Sequence, residues 1–163
     1  MKKHVSTILL FLVFGIGLCL LLYPTVSDCW NSFHQSRAIA SYTDAVSQID
    51  DKEYEQIWQD AVSYNETIRA KAGNPYVLTD EEKAQYNSLL NISGNGVMGY
   101  IEIPTIDVSL AVYHGTGESV LQIAVGHIEG SSLPVGGEGT HCVLSGHRGL
   151  PSARLFTDLD KLT

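Results

Sequence analysis

Apolar and polar positions alternate in three different ways along this chain. Residues 5–26 form a run without a single charge, long enough to cross a bilayer as a helix. From residue 30 to about 72 the pattern becomes helical, in two pieces separated near residues 48–52. In the second piece Tyr54, Ile57, Trp58, Ala61, Tyr64 and Ile68 recur at steps of three and four, which predicts one apolar stripe that packs against the rest of the body. Gly73-Asn-Pro-Tyr-Val-Leu78 breaks that helix, since Pro75 cannot continue it and disfavours helical geometry at Asn74. Thr79 and Glu82 have the spacing of a capping box, so a short helix restarts there and runs to about Leu90. Beyond Gly96 the pattern shortens to β-type runs punctuated by Gly and Pro, expected as strands over residues 97–103, 108–113, 121–125 and 141–145. Four such strands are too few to close a barrel and would leave open edges. The chain is therefore expected to be mainly β with N-terminal helices, and to hold only the first part of its β domain.

Charge adds a direction. The net charge is -8, and every one of the 18 acidic residues lies at or after Asp28, while Lys2 and Lys3 precede the apolar run. That asymmetry puts the N-terminus in the cytoplasm and the body outside. An uncleaved anchor is favoured over a signal peptide, because the run is longer than an ordinary signal core. The acidic body carries no basic patch with interleaved aromatics, so nucleic acid is not an expected partner. Of the three cysteines, Cys19 lies in the apolar run, and a disulfide between Cys29 and Cys142 is not expected.

The candidate chemistry is histidine. His4, His34 and His114 read as surface or structural residues. His127, Glu129 and His141 lack metal-site spacing, and Ser145-Gly146-His147 is not a nucleophile elbow. His147 remains, at the end of the last apolar run and next to Arg148 and Gly149. A histidine presented at a strand end is suited to proton transfer.

The string from His141 to Leu162, with Ser145-Gly-His-Arg-Gly-Leu-Pro-Ser-Ala-Arg-Leu-Phe156 at its centre, closely resembles the catalytic-histidine segment of class C, pilus-assembling sortases. Ala124-Val-Gly-His-Ile-Glu-Gly-Ser-Ser-Leu-Pro-Val-Gly-Gly137, Ile101-Glu-Ile-Pro104, Leu22-Tyr-Pro24 and Gln35-Ser-Arg-Ala-Ile-Ala40 are similar to further segments of that family. The resemblance implies an eight-stranded β-barrel preceded by a transmembrane helix and a helical region with a lid. It divides the chain into a cytoplasmic tip and anchor (1–27), an extracytoplasmic helical region with lid (28–93) and the first part of the barrel (94–163). It also implies a cysteine transpeptidase of Gram-positive bacteria, held in the cell membrane, that cleaves Leu-Pro-x-Thr-Gly sorting motifs of pilins or surface proteins. The product is joined to the lysine amine of the next pilin, with no cofactor and no metal.

By the same resemblance His147 is the general acid/base, while the nucleophile belongs to a downstream Thr-Leu-x-Thr-Cys segment followed by an arginine. The chain reaches Thr163 without either, so it is expected to be truncated and inactive alone. Cys142 is expected to be a small buried strand residue rather than a substitute. Asn74-Pro75-Tyr76 falls where the family's lid carries Asp-Pro-aromatic, with Asn keeping the hydrogen bonds and losing the charge. The rival readings are a non-enzymatic membrane-anchored remnant and an exported metal-dependent hydrolase using His127, His141 and His147.

Overall fold

A computed structural model describes residues 2–162. The apolar run and the first helical piece form one continuous helix, α1 (Lys2–Gln48), in spite of Pro24 within it. The apolar run packs against nothing in the body, with Leu9, Phe11 and Leu21 each more than 60% accessible. Among the described residues it is the one helix long and apolar enough to cross a membrane.

Asp50 accepts from the Glu53 amide and starts α2 (Asp51–Ala70). The predicted stripe of α2 is half used. Ala61 and Tyr64 are buried in the core, whereas Tyr54 and Trp58 stack on each other at the edge of an apolar groove of about 470 Å3. The capping box closes in both directions at the start of α3 (Asp80–Ser88). Leu90 then takes a left-handed conformation (φ 58°), after which the chain enters the β domain.

The β domain is an open four-stranded sheet in the order β1-β2-β3-β4. Strand β1 (Val97–Ile103) pairs antiparallel with β2 (Val108–His114), and β2 pairs parallel with β3 (Val125–His127). Strand β4 (Leu144–Ser145) runs antiparallel to β3. Two sequence expectations are corrected here. The strand expected over 121–125 begins only at Val125, because Gly117 opens a helical turn, α4 (Glu118–Leu121), whose bonds continue to Ala124. The expected strand over 141–145 shrinks to two residues, since its earlier part is held through serine side chains rather than a regular ladder.

The core lies between α2, α3 and one face of the sheet, with Tyr64, Tyr86, Met98, Val112, Val125 and Leu133 at its centre. Helix α1 packs on β2 and β1. Its inward positions Asp28, Asn31, Gln35 and Tyr42 hydrogen-bond to the body, at the three and four residue spacing of one helix face.

Candidate active site

His147 is exposed and lies just past β4. Gly146 before it cannot carry a side chain without strain: an added Cβ would meet the Phe156 ring at 2.8 Å and Val125 Cγ2 at 3.3 Å. The loop after His147 folds back on the strand end. The Phe156 amide donates to the His147 carbonyl (3.1 Å), and the Gly149 amide donates to Thr157 Oγ1 (3.0 Å). Leu155 and Phe156 are buried, and Leu155 takes a left-handed conformation (φ 38°) unusual for a branched side chain. Apolar anchors and backbone bonds therefore fix the position of His147, leaving its imidazole open to solvent.

Charged groups tie the same loop together. Arg148 pairs with Asp160 at 3.0 Å, and Asp158 pairs with Lys161 at 2.8 Å and with Arg154. The hydrogen bonds from Lys161 and Arg154 hold the Asp158 carboxyl below its ordinary pKa.

A second histidine does different work. His127 is fully buried, with Nδ1 2.9 Å from Tyr86 Oη and Nε2 2.9 Å from the Ser132 carbonyl. A carbonyl oxygen only accepts, so Nε2 carries the proton and Nδ1 is left to accept from the Tyr86 hydroxyl. Tyr86 Oη also lies 3.1 Å from the His127 carbonyl, and it accepts from the Gly115 amide at 3.1 Å. Burial lowers the His127 pKa, which matches a neutral ring. Ser131 Oγ accepts from the Val143 amide and Ser132 Oγ from the His141 amide, so the residues bonded to His127 also hold the approach to β4. Sequence reasoning missed Tyr86, Ser131 and Ser132. Their polar atoms meet only through the fold.

The residues 74–76 form a compact turn, in which Asn74 Oδ1 accepts from the Tyr76 amide at 3.0 Å. Lys71 Nζ clasps its base, donating to the Val77 carbonyl (2.9 Å) and to both Glu82 oxygens (2.7 and 2.8 Å). The turn's backbone rests on Gly130, where an added Cβ would come within 2.7 Å of Tyr76 Cα and collide with the Pro75 carbonyl. Gly130 lies in the turn beyond the Ile128 and Val143 pairing, whereas Ser145 pairs with Gly126 and leads on to His147. The 74–76 turn and His147 thus flank opposite ends of the β3 and β4 pair. The Tyr76 side chain is 54% exposed.

Cys142 departs from its expected place. It is exposed as a residue, because β4 begins only after it, yet partial desolvation of the thiol raises its pKa above the ordinary value. That shift works against a thiolate nucleophile. The histidine set His127, His141 and His147 does not converge either, for His127 has both nitrogens engaged in the core while the other two are exposed. Among the described residues no group of three His, Cys, Asp or Glu side chains comes together as metal ligands.

A family profile described as Sortase domain matches residues 101–163. Sortase C1 from Streptococcus agalactiae is 52% identical, with a TM-score of 0.74, over 78% of this chain and 65% of its own length. Sortase C from Streptococcus pneumoniae, whose structure is described as informative on catalysis and pilin substrate specificity, is 41% identical (TM-score 0.66; 78% of this chain, 63% of its own). A lid mutant of Streptococcus agalactiae sortase C1 is 40% identical (TM-score 0.66; 77% and 63%). The chain spans just under two thirds of the length of these relatives. No curated protein matches it.

Proposed function

The chain belongs to the sortase family, with class C relatives, and from that premise we propose that it supplies the anchor, the lid region and the acid/base half of a cysteine transpeptidase. The observation that carries this reading is His147, solvent-facing on a strand end that Gly146 and Phe156 hold in place, within a segment that matches the family. In the proposed reaction a thiolate attacks the scissile carbonyl of a Leu-Pro-x-Thr-Gly motif. His147 gives its proton to the departing amine as the thioester forms. It then takes a proton from the incoming lysine amine, which displaces the thiolate and leaves a new amide bond. An arginine stabilises the oxyanion in both steps. The 163 residues contain no Thr-Leu-x-Thr-Cys segment, and neither Cys142 nor Arg148 takes the roles that segment and its arginine fill.

The proposed organisation is a single N-terminal anchor in the cell membrane (1–27), a helical region with lid (28–93) and a barrel portion (94–163). The proposed partners are pilin or surface proteins with sorting motifs. Asn74-Pro75-Tyr76, seated on Gly130 and clasped by Lys71 and Glu82, is read as the base of the lid, and in this chain the turn lies at the end of the strand pair away from His147. The test is a chimera in which this chain is continued by the C-terminal third of Streptococcus agalactiae sortase C1. It should transfer a Leu-Pro-x-Thr-Gly peptide to a lysine amine. A folded chimera that neither cleaves nor transfers the peptide would overturn the assignment.

A further inference from the structure

Helix α1 is at once the apolar span and one wall of the body, with no linker between the two. A helix rises about 1.5 Å per residue, so Asp28 lies only about 3 Å beyond Val26, where the uncharged run ends. The headgroup layer on each side of a bilayer is roughly 5–8 Å deep, from the difference between its full and hydrocarbon thicknesses. Asp28 therefore stands inside that layer. Asp28 Oδ1 accepts from the Arg154 amide at 2.7 Å, which fixes the loop after His147 at the same height. The next turns of α1 keep the body from swinging away. Asn31 Nδ2 and Gln35 Nε2 both donate to the Ile123 carbonyl, and Gln35 Oε1 accepts from the buried Ala111 amide at 2.8 Å.

We infer that the loop of residues 154–161 is a membrane-apposed surface, and that its clamp to α1 holds His147 close to the lipid headgroups. The partner is the bilayer that α1 crosses, and the inference rests on the anchor reading given above. Its side chains suit that boundary. Arg154 and Lys161 lie on long apolar stems and both pair with Asp158, which with Asp160 leaves the loop without net charge, and Leu159 is an exposed apolar residue between them. Across the helix, Trp30 is 69% exposed about one turn above the span, at the height of the aromatic belts of membrane proteins. The Phe156 amide, two residues past Arg154, binds the His147 carbonyl, so the height of the loop is passed on to the histidine. The scissile bond is then presented at the bilayer surface and not at the far end of the body.

The 163-residue chain is placed in phosphatidylcholine and phosphatidylglycerol vesicles, with Cys19, Cys29 and Cys142 changed to Ala. Single cysteines at Leu12→Cys, Leu159→Cys and Gln48→Cys carry a fluorophore, and lipids bearing a nitroxide at the headgroup or at mid-chain quench it. Gln48 stands roughly 33 Å along the helix from Val26, well clear of the bilayer. The Leu12 label should be quenched by the mid-chain nitroxide. Headgroup quenching at Leu159 should be at least about twofold that at Gln48, since an apposed surface lies within a few ångströms of the lipid. Equal quenching at Leu159 and Gln48, with Leu12 still quenched, would overturn the inference and leave the anchor standing. An unquenched Leu12 would sink both. Asp28→Ala combined with Gln35→Ala should bring Leu159 quenching down to the Gln48 level while the helical circular dichroism is retained. Undiminished quenching in that double variant would also refute the clamp.

Discussion

The Tyr86 hydroxyl stands 2.9 Å from His127 Nδ1, and through that bond helix α3 is joined to the strand pair that leads to His147. Tyr64 packs against Tyr86 with ring centroids 6.2 Å apart, yet its own hydroxyl is buried without a partner among the described residues. Burial pushes the Tyr64 pKa up to about 12, consistent with a hydroxyl that keeps its proton. The two tyrosines should therefore respond oppositely to loss of the hydroxyl. Tyr86→Phe strands the Gly115 amide and His127 Nδ1 and should cost about 1–3 kcal/mol. Tyr64→Phe removes an unsatisfied group and should be neutral or stabilising. Denaturant unfolding of both variants decides this, and equal destabilisation would contradict it.

His127 makes stability depend on pH in a definite direction. Burial lowers its pKa in the folded chain, so the unfolded chain binds the proton more readily. Its contribution is complete above the unfolded value of about 6.5 and is lost as pH falls through that value toward the lower folded one. Near it stand Tyr86 and His114 from β2, while Glu129 and Cys142 act on Tyr86. His127→Gln removes the titrating ring and should flatten the dependence of unfolding free energy on pH as the pH falls below about 6.5. Parallel curves for the variant and the parent would show that His127 does not titrate on unfolding.

Local chemistry was readable in the sequence and long-range chemistry was not. The Thr79 and Glu82 box was legible because both halves lie within one helical turn, and the break near Pro75 because proline acts on its own neighbours. The apolar run over 121–125 suggested a strand, but Gly117 supplies a helical start whose backbone bonds continue to Ala124, so the strand begins only at Val125. Pro24 lies inside the apolar run, and α1 continues through it and docks on β2. His147 could be singled out because its segment is contiguous. The partners of His127 could not, since Tyr86 is 41 residues away in the chain and its helix gives no sign of what its hydroxyl meets.

The 74–76 turn depends on Gly130 and Lys71 in separable ways. Gly130 has φ +85°, and any Cβ there collides with the Pro75 and Tyr76 backbone, so Gly130→Ala must displace the turn. Lys71→Met leaves the turn seated and removes its clasp to Glu82 and the Val77 carbonyl. Chymotrypsin should cut after Tyr76 faster in both variants, and high salt should speed cutting of the parent chain but leave Lys71→Met unchanged. Unaltered cleavage in Gly130→Ala would mean that the turn does not rest on Gly130.

The last expectation separates the two histidines from the cysteine beside them. In the chimera with the C-terminal third of the streptococcal relative, His147→Ala should lower peptide transfer at least roughly 100-fold, the usual scale for a positioned acid/base group. Folding should be unaffected, because the His147 imidazole is exposed and its loop is held through backbone atoms. His127→Gln should instead lower the unfolding midpoint, with transfer recovering at temperatures where the variant is folded. Cys142→Ala should leave transfer unchanged. Five residues of extended chain separate Cys142 from His147, roughly 16 Å, and desolvation raises its thiol pKa, so it neither reaches that histidine nor forms a ready thiolate. The 163-residue chain by itself should give no product. Turnover by that chain, abolished by Cys142→Ala, would make Cys142 the nucleophile and displace the assignment of a separate cysteine segment.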